Sequence, residues 1–129
     1  MPTQSKTLIK SRSTAFERQG SRCYYCDFPM WRGSIEHFAR LHGITLGQAR
    51  QFQCTAEHLH ARQDGGGDGR SNIVAACLVC NQRRHKRKLA LEPDAYRELV
   101  QQRLSHGLWH IARALNTLGA VDEGVCGRK

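Results

Sequence analysis

No apolar run in this 129-residue sequence is long enough to cross a bilayer as a helix, which excludes a helical membrane span. Met1 to Lys10 also lacks the continuous apolar segment and small-residue cleavage site of a secretory leader. The expected compartment is therefore the cytoplasm, where thiols stay reduced. Six cysteines in that setting read as metal ligands before they read as disulfides. No repeat is visible at a spacing of about 20–50 residues, which excludes a solenoid, and the one biased stretch is a short glycine cluster. Acidic residues are the scarce class: 11 Asp and Glu face 20 Lys and Arg, a formal charge of +9. A surplus of that size favours an anionic partner, nucleic acid foremost, over a charge that serves solubility alone.

What is present suffices for one domain over residues 1–129. Hydrophobic residues make up 40% of the chain, but a fold this small often needs a staple. Thr7 to Gln19 reads as a first helix with Leu8, Ile9 and Phe16 apolar and Gly20 as its stop. Cys23-Tyr-Tyr-Cys26 follows, then a tight turn at Asp27-Phe28-Pro29. Residues 31–43 read ambiguously, and Thr45 predicts the N-cap of a short helix through Arg50. Phe52 to Leu59 predicts a strand and Asn72 to Ala76 a second one, joined by a glycine-rich loop from Arg62 to Ser71. A basic helix is expected from near Asn81. Pro93 and Asp94 open a last helix, expected over about 93–118, and Asp122 to Lys129 reads as a loose tail.

Two Cys-x-x-Cys knuckles stand out, Cys23/Cys26 and Cys77/Cys80. Zinc prefers four tetrahedral thiolates, and a two-residue spacer presents both sulfurs of a knuckle on one side. The expected result is a structural four-cysteine zinc that joins segments more than 50 residues apart. Cys54 reads as a small buried hydrophobe and Cys126 as a free thiol in the tail.

Between the knuckles lie Glu57-His58, the glycines Gly65-Gly66-Gly67, and Asn72; Asn81 and His85 follow the second knuckle. Phosphodiester hydrolysis needs a base for water, a cation on the phosphate and relief of charge on the leaving oxygen. Histidine suits the first role near neutral pH, and a divalent metal supplies the charge. Hard cations take carboxylate and amide oxygens of the kind Glu57 and Asn81 offer. His85 stands four residues after Asn81, on the same helical face.

The string Glu57-His58 … Gly-Gly … Asn72-Ile-Val … Cys77-Leu-Val-Cys80-Asn81 resembles the HNH endonucleases, in the variant whose third letter is Asn. Arg18-Gln-Gly-Ser-Arg-Cys23-Tyr-Tyr-Cys26 resembles the lead-in of their zinc-bearing members, so the likeness spans residues 14–89. It implies a ββα-metal (His-Me finger) core within an α+β fold: a hairpin and helix around a metal, stapled by zinc and flanked by helices. It implies His58 as general base, Glu57 and Asn81 as ligands of one divalent metal such as Mg²⁺, Mn²⁺ or Ni²⁺, and His85 as a further ligand. It implies that Asn72 ties the glycine loop and helps hold His58 in place. The products would carry 5′-phosphate and 3′-hydroxyl ends. Glu57 stands where Asp is commoner in the family. His60 reads as solvated or phosphate-contacting, and Glu36-His37 is set aside because no glycine loop follows at matching distance.

The run Arg83, Arg84, His85, Lys86, Arg87, Lys88 is expected to spread around a helix and meet phosphate, which positions a duplex without reading its sequence. The expected function is a metal-dependent DNA endonuclease with little sequence specificity. A non-catalytic zinc module that binds nucleic acid, or a subunit of a larger nuclease assembly, is the alternative. Leu104, Leu108, Ile111, Leu115 and Leu118 form a stripe read as either core or a homodimer face.

Overall fold

The computed structural model describes residues 4–110. The elements run α1 (Lys6–Arg18), α2 (Ile35–His42), α3 (Leu46–Arg50), β1 (Cys54–His58), a single 3-10 turn (Arg62–Asp64), β2 (Ile73–Cys77), α4 (Leu78–Lys86) and α5 (Pro93–Ser105). Local sequence explains most boundaries. Ser5 caps α1 by accepting from the Leu8 N–H, and Ser34 caps α2 through the His37 N–H. Thr45 and Gln48 form a reciprocal capping box that starts α3, as the sequence predicts. The ambiguous stretch becomes α2, an eight-residue helix that buries Phe38 and Ala39 and ends at Gly43 with φ +64°. No described helix is long and apolar enough to cross a membrane.

β1 and β2 pair antiparallel with Cys54 opposite Cys77 and His58 opposite Ile73. Two five-residue strands are marginal alone, and three supports complete them. α1 packs across both strands. The Gln19 side-chain amide occupies the outer edge of β2, its Nε2 donating to the Ala75 carbonyl and its Oε1 accepting from the Ala75 N–H. Trp31 bridges β1 from the other edge, with Cys54 N–H donating to the Trp31 carbonyl. Behind the hairpin, Phe28 stacks on Phe52 at 5.9 Å, and Tyr25 meets Tyr96 edge-on at 4.8 Å. The fold is thus α+β, with a small two-stranded sheet.

The four knuckle sulfurs are buried and lie within 4.8 Å of one another. None is in a disulfide. Tetrahedral ligation at about 2.3 Å per bond separates sulfurs by ~3.8 Å, and Cys26 and Cys77 Sγ stand 3.9 Å apart. Three N–H groups already point at sulfur: Tyr25 and Cys77 on Cys23, and the Trp109 indole on Cys80, each at 3.3 Å. Burial opposes ionisation of Cys23, yet hydrogen bonds from Cys26, Cys77 and Cys80 hold it well below the usual thiol range. Burial and the neighbouring sulfurs push Cys26 and Cys80 well above it. Four buried sulfurs this close together are placed to hold one metal ion, and an all-thiolate shell suits zinc. Cys54 is buried, as expected, and burial pushes its thiol up to about 11.

Three expectations need correction. α4 begins at Leu78 rather than near Asn81, so Cys80 lies inside the helix. It ends at Lys86, so Arg87 and Lys88 follow the helix instead of lying on it. α5 stops at Ser105 rather than running to residue 118: Gly107 adopts φ +69°, and the chain turns to bury Trp109 and His110 against Tyr96, Phe28 and Phe52. Leu104 and Leu108 therefore do not share one helical face: Leu104 packs on the core while Leu108 is exposed. Ile111, Leu115, Leu118 and Cys126, and with them most of the stripe read as core or homodimer face, lie outside the described residues.

The zinc reading predicts one tightly held Zn²⁺ per chain. Cys23→Ser or Cys80→Ser should lose it together with much of the folding free energy, because metal binding here is folding energy. Elemental analysis with thermal melts checks this; wild-type protein purified without zinc contradicts it.

Candidate active site

Side chains alternate along β1, so Thr55 and Glu57 share the face that meets α4. On α4, Asn81, Arg84 and His85 share one face at i, i+3 and i+4. These faces come together below an open cleft of about 610 Å³ whose walls include Glu57, His58, Arg62, Asn81 and His85. The sequence-predicted cluster is assembled there. A separate concavity of about 460 Å³ near Trp31 and Phe38 has His37 and His42 on its wall and no carboxylate.

Glu57 is 1% exposed. Its Oε2 accepts from Arg84 Nη1 at 2.7 Å and from the Tyr25 hydroxyl at 2.9 Å, while Oε1 stands 3.0 Å from His85 Nε2. The carboxylate is thus pinned by one oxygen and shares the other with a cleft histidine. Glu57 Oε1 and His85 Nε2 are within hydrogen-bond distance of each other, and both are atom types that can ligate a cation. Asn81 donates Nδ2 to Thr55 Oγ1 at 3.0 Å and to the Ala56 carbonyl at 3.2 Å, and no described residue donates to its Oδ1. Glu57 Oε1, His85 Nε2 and Asn81 Oδ1 are the cleft atoms that could hold a divalent metal. Among the described residues, three or more His, Cys, Asp or Glu donors gather closely only at the cysteine quartet. A cleft metal would hence be held by few protein ligands and completed by phosphate oxygens and water.

Arg84 was expected on the phosphate surface, and here the structure differs. It is 6% exposed, and its guanidinium reaches the Glu57 carboxylate, the His58 carbonyl at 3.3 Å and, through Nε, the Leu91 carbonyl at 3.0 Å. A buried carboxylate needs a buried cation, and Arg84 is the one in reach. Burial alone would lower its pKa, but the Glu57 partner holds it above the ordinary arginine value. Arg83 is half-buried, stacked over Trp109 at 4.7 Å with Nη1 on the Trp109 carbonyl. Lys86, Arg87 and Lys88 are exposed.

His58 Nε2 is 2.8 Å from Asp68 Oδ1. Asp68 comes from the glycine loop, and Asn72 closes that loop: its Oδ1 accepts from the His60 N–H, while Nδ2 donates to the His60 and Gly67 carbonyls. Gly66 makes the closure possible, since a Cβ there would stand 1.9 Å from the His60 carbonyl oxygen. Hydrogen bonds from His58, Ser5 and Arg62 hold the Asp68 carboxyl down to about 2. His60 is turned away from the cleft, with Nε2 at 2.7 Å from the Asp64 carbonyl.

Sequence reasoning missed Tyr25, Arg62 and Asp68, and misassigned Arg84. No spacing rule marks Tyr25 or Asp68. Tyr25 connects the two centres: its backbone N–H donates to Cys23 Sγ and its hydroxyl to Glu57.

Residues 47–87 match the family model described as HNH endonuclease. No curated protein and no solved structure matches the chain. The matched segment contains β1, the glycine loop, β2 and α4, and leaves the first knuckle, α1 and α5 outside.

The Glu57–Arg84 pair predicts an asymmetric cost. Arg84→Met should destabilise the fold by about 3 kcal/mol in urea unfolding, because it leaves a buried carboxylate without its cation. Arg84→Met combined with Glu57→Gln should recover part of that loss. An Arg84→Met protein as stable as wild type would mean that Glu57 finds another partner.

Proposed function

From the HNH endonuclease domain at residues 47–87, we propose that the chain is a metal-dependent endonuclease that hydrolyses DNA phosphodiester bonds, with His58 as general base. The observation that carries this reading is the cleft shared by His58, Glu57, Asn81 and His85, where a carboxylate oxygen and an imidazole nitrogen stand 3.0 Å apart. A zinc module that only binds nucleic acid has no use for that constellation.

Each side chain has a separable task. Glu57 Oε1, His85 Nε2 and Asn81 Oδ1 would hold the divalent ion, which when bound supplies positive charge to the scissile phosphate and the leaving oxygen. Arg84 and Tyr25 keep the Glu57 carboxylate in one orientation. Asn72 and Gly66 keep the loop closed over the end of β1. His58 takes a proton from the attacking water. Lys86, Arg87 and Lys88, with Arg62 at the cleft wall, meet the phosphate backbone; Arg84, turned onto Glu57, and Arg83, held on Trp109, leave that set. Backbone contacts of this kind position a duplex without reading bases, so little sequence preference is expected. One such site cuts one strand, and the expected product is a nick with 5′-phosphate and 3′-hydroxyl ends.

A plasmid nicking assay with Mg²⁺, Mn²⁺, Ni²⁺ and Zn²⁺ tests the reading. His58→Ala should lose about 10²-fold or more of the rate, within the 10²–10⁴ that general-base catalysis supplies, while duplex binding is retained. Binding with no cleavage under any metal identifies the non-catalytic alternative instead. Unimpaired cleavage by His58→Ala, purified free of other nucleases, removes His58 from the role.

The phosphate surface makes its own prediction. Replacing Lys86, Arg87 and Lys88 with Gln should weaken duplex binding alike for all sequences and flatten the log K against log [salt] slope by up to about three units, as fewer counterions are released. An unchanged slope places the DNA path elsewhere.

A further inference from the structure

We propose that Asp68 is a positioning residue for His58: its carboxylate fixes the ring with the proton on Nε2, leaving Nδ1 as the nitrogen that accepts a proton in the cleft. This rests on the reading of His58 as the general base.

The argument begins with what a carboxylate can do. An ionised carboxylate accepts hydrogen bonds and cannot donate one, so a ring nitrogen 2.8 Å from Asp68 Oδ1 must carry the hydrogen. That nitrogen is Nε2. A neutral imidazole has one N–H, so Nδ1 then bears the lone pair, and no described residue hydrogen-bonds to Nδ1. The ring is part-buried, with a side-chain exposure of 18%, and lies on the cleft wall. The proton taken from water comes to rest on Nδ1, and the resulting imidazolium faces the Asp68 negative charge through Nε2–H. The carboxylate thus selects the competent tautomer and stabilises the charged ring that proton transfer creates.

Asp68 is itself held from several directions. Ser5 Oγ donates to Oδ2 at 2.9 Å, and Arg62 Nη2 reaches both oxygens at 2.9 and 3.1 Å. The Asp68 carbonyl accepts from Ser11 Oγ at 2.7 Å. Ser5 and Ser11 belong to α1 and its cap, outside the segment that matches the family model. The N-terminal helix therefore braces the orienting carboxylate from behind, while Asn72 ties the loop from the strand side. These bonds explain why a loop of small residues can carry a side chain to one fixed place.

The test uses the zinc-loaded full chain and has two arms. In ¹⁵N NMR of the histidine rings, wild-type His58 should show one protonated nitrogen, Nε2, and one unprotonated nitrogen, Nδ1. In Asp68→Ala the two signals should move toward each other as both tautomers are sampled. In the nicking assay, Asp68→Ala should lower kcat roughly 10- to 100-fold, the usual loss for an outer partner, with KM for plasmid unchanged. In a His58→Ala background the same substitution should cost nothing further, because residues acting as one unit are not additive. His58 ring shifts that ignore Asp68→Ala, or rate losses that multiply in the double variant, overturn the proposal. Failure of the endonuclease reading appears separately, as full activity in His58→Ala or no cleavage by wild type. The ring signals then still decide whether Asp68 holds the histidine.

Discussion

Four buried sulfurs meeting at one point are the constraint on which the remaining geometry depends. The hairpin has two five-residue strands, too little to hold its own register. The sulfur cluster joins the turn after α1 to the β2–α4 junction, more than 50 residues along the chain. Further braces converge on that junction. Arg97 and Gln101 of α5 clamp the first knuckle through the Tyr24 and Tyr25 carbonyls, and the Tyr96 hydroxyl meets the Cys80 carbonyl at 2.6 Å. The junction also sets the start of α4, and with it the direction in which Asn81, Arg84 and His85 face.

The second layer is electrostatic. Glu57 lies buried beneath the cleft, and burial of an unpaired charge is prohibitive. The fold resolves this by burying a cation with it. Arg84 and Tyr25 saturate Glu57 Oε2 and leave Oε1 beside His85. Tyr25 is also a knuckle residue, so the structural sulfur cluster and the proposed catalytic ligand are one side chain apart. Loss of the cluster would disturb Glu57 directly, through a hydrogen bond, as well as through the fold.

Much of this was legible in the sequence because it depends on spacing. Two Cys-x-x-Cys pairs, Glu57-His58 before a glycine run, and Asn81 and His85 four apart carry periodicity and order that survive without coordinates. Thr45 announced the start of α3 for the same reason. α2 was obscure because eight residues give too few turns for a helical period to emerge. The last helix was read too long because leucines at helical spacing continued past Gly107. The sequence pattern could not register that Trp109 and His110 gain more from the aromatic core than from staying on a helix.

Residue types and their order along the chain determined the zinc shell, the hairpin, the cluster of hard ligands and the basic character of the surface, since each follows from a local rule. Tertiary structure alone decided which arginine in a run of basic residues turns inward, because that depends on where a buried carboxylate lies. It also decided that Asp68, ten residues from His58, returns to its ring. That approach is made by a glycine loop whose shape is fixed by Asn72, Ser5 and Ser11, contacts over 5 to 63 residues of separation that no local pattern encodes.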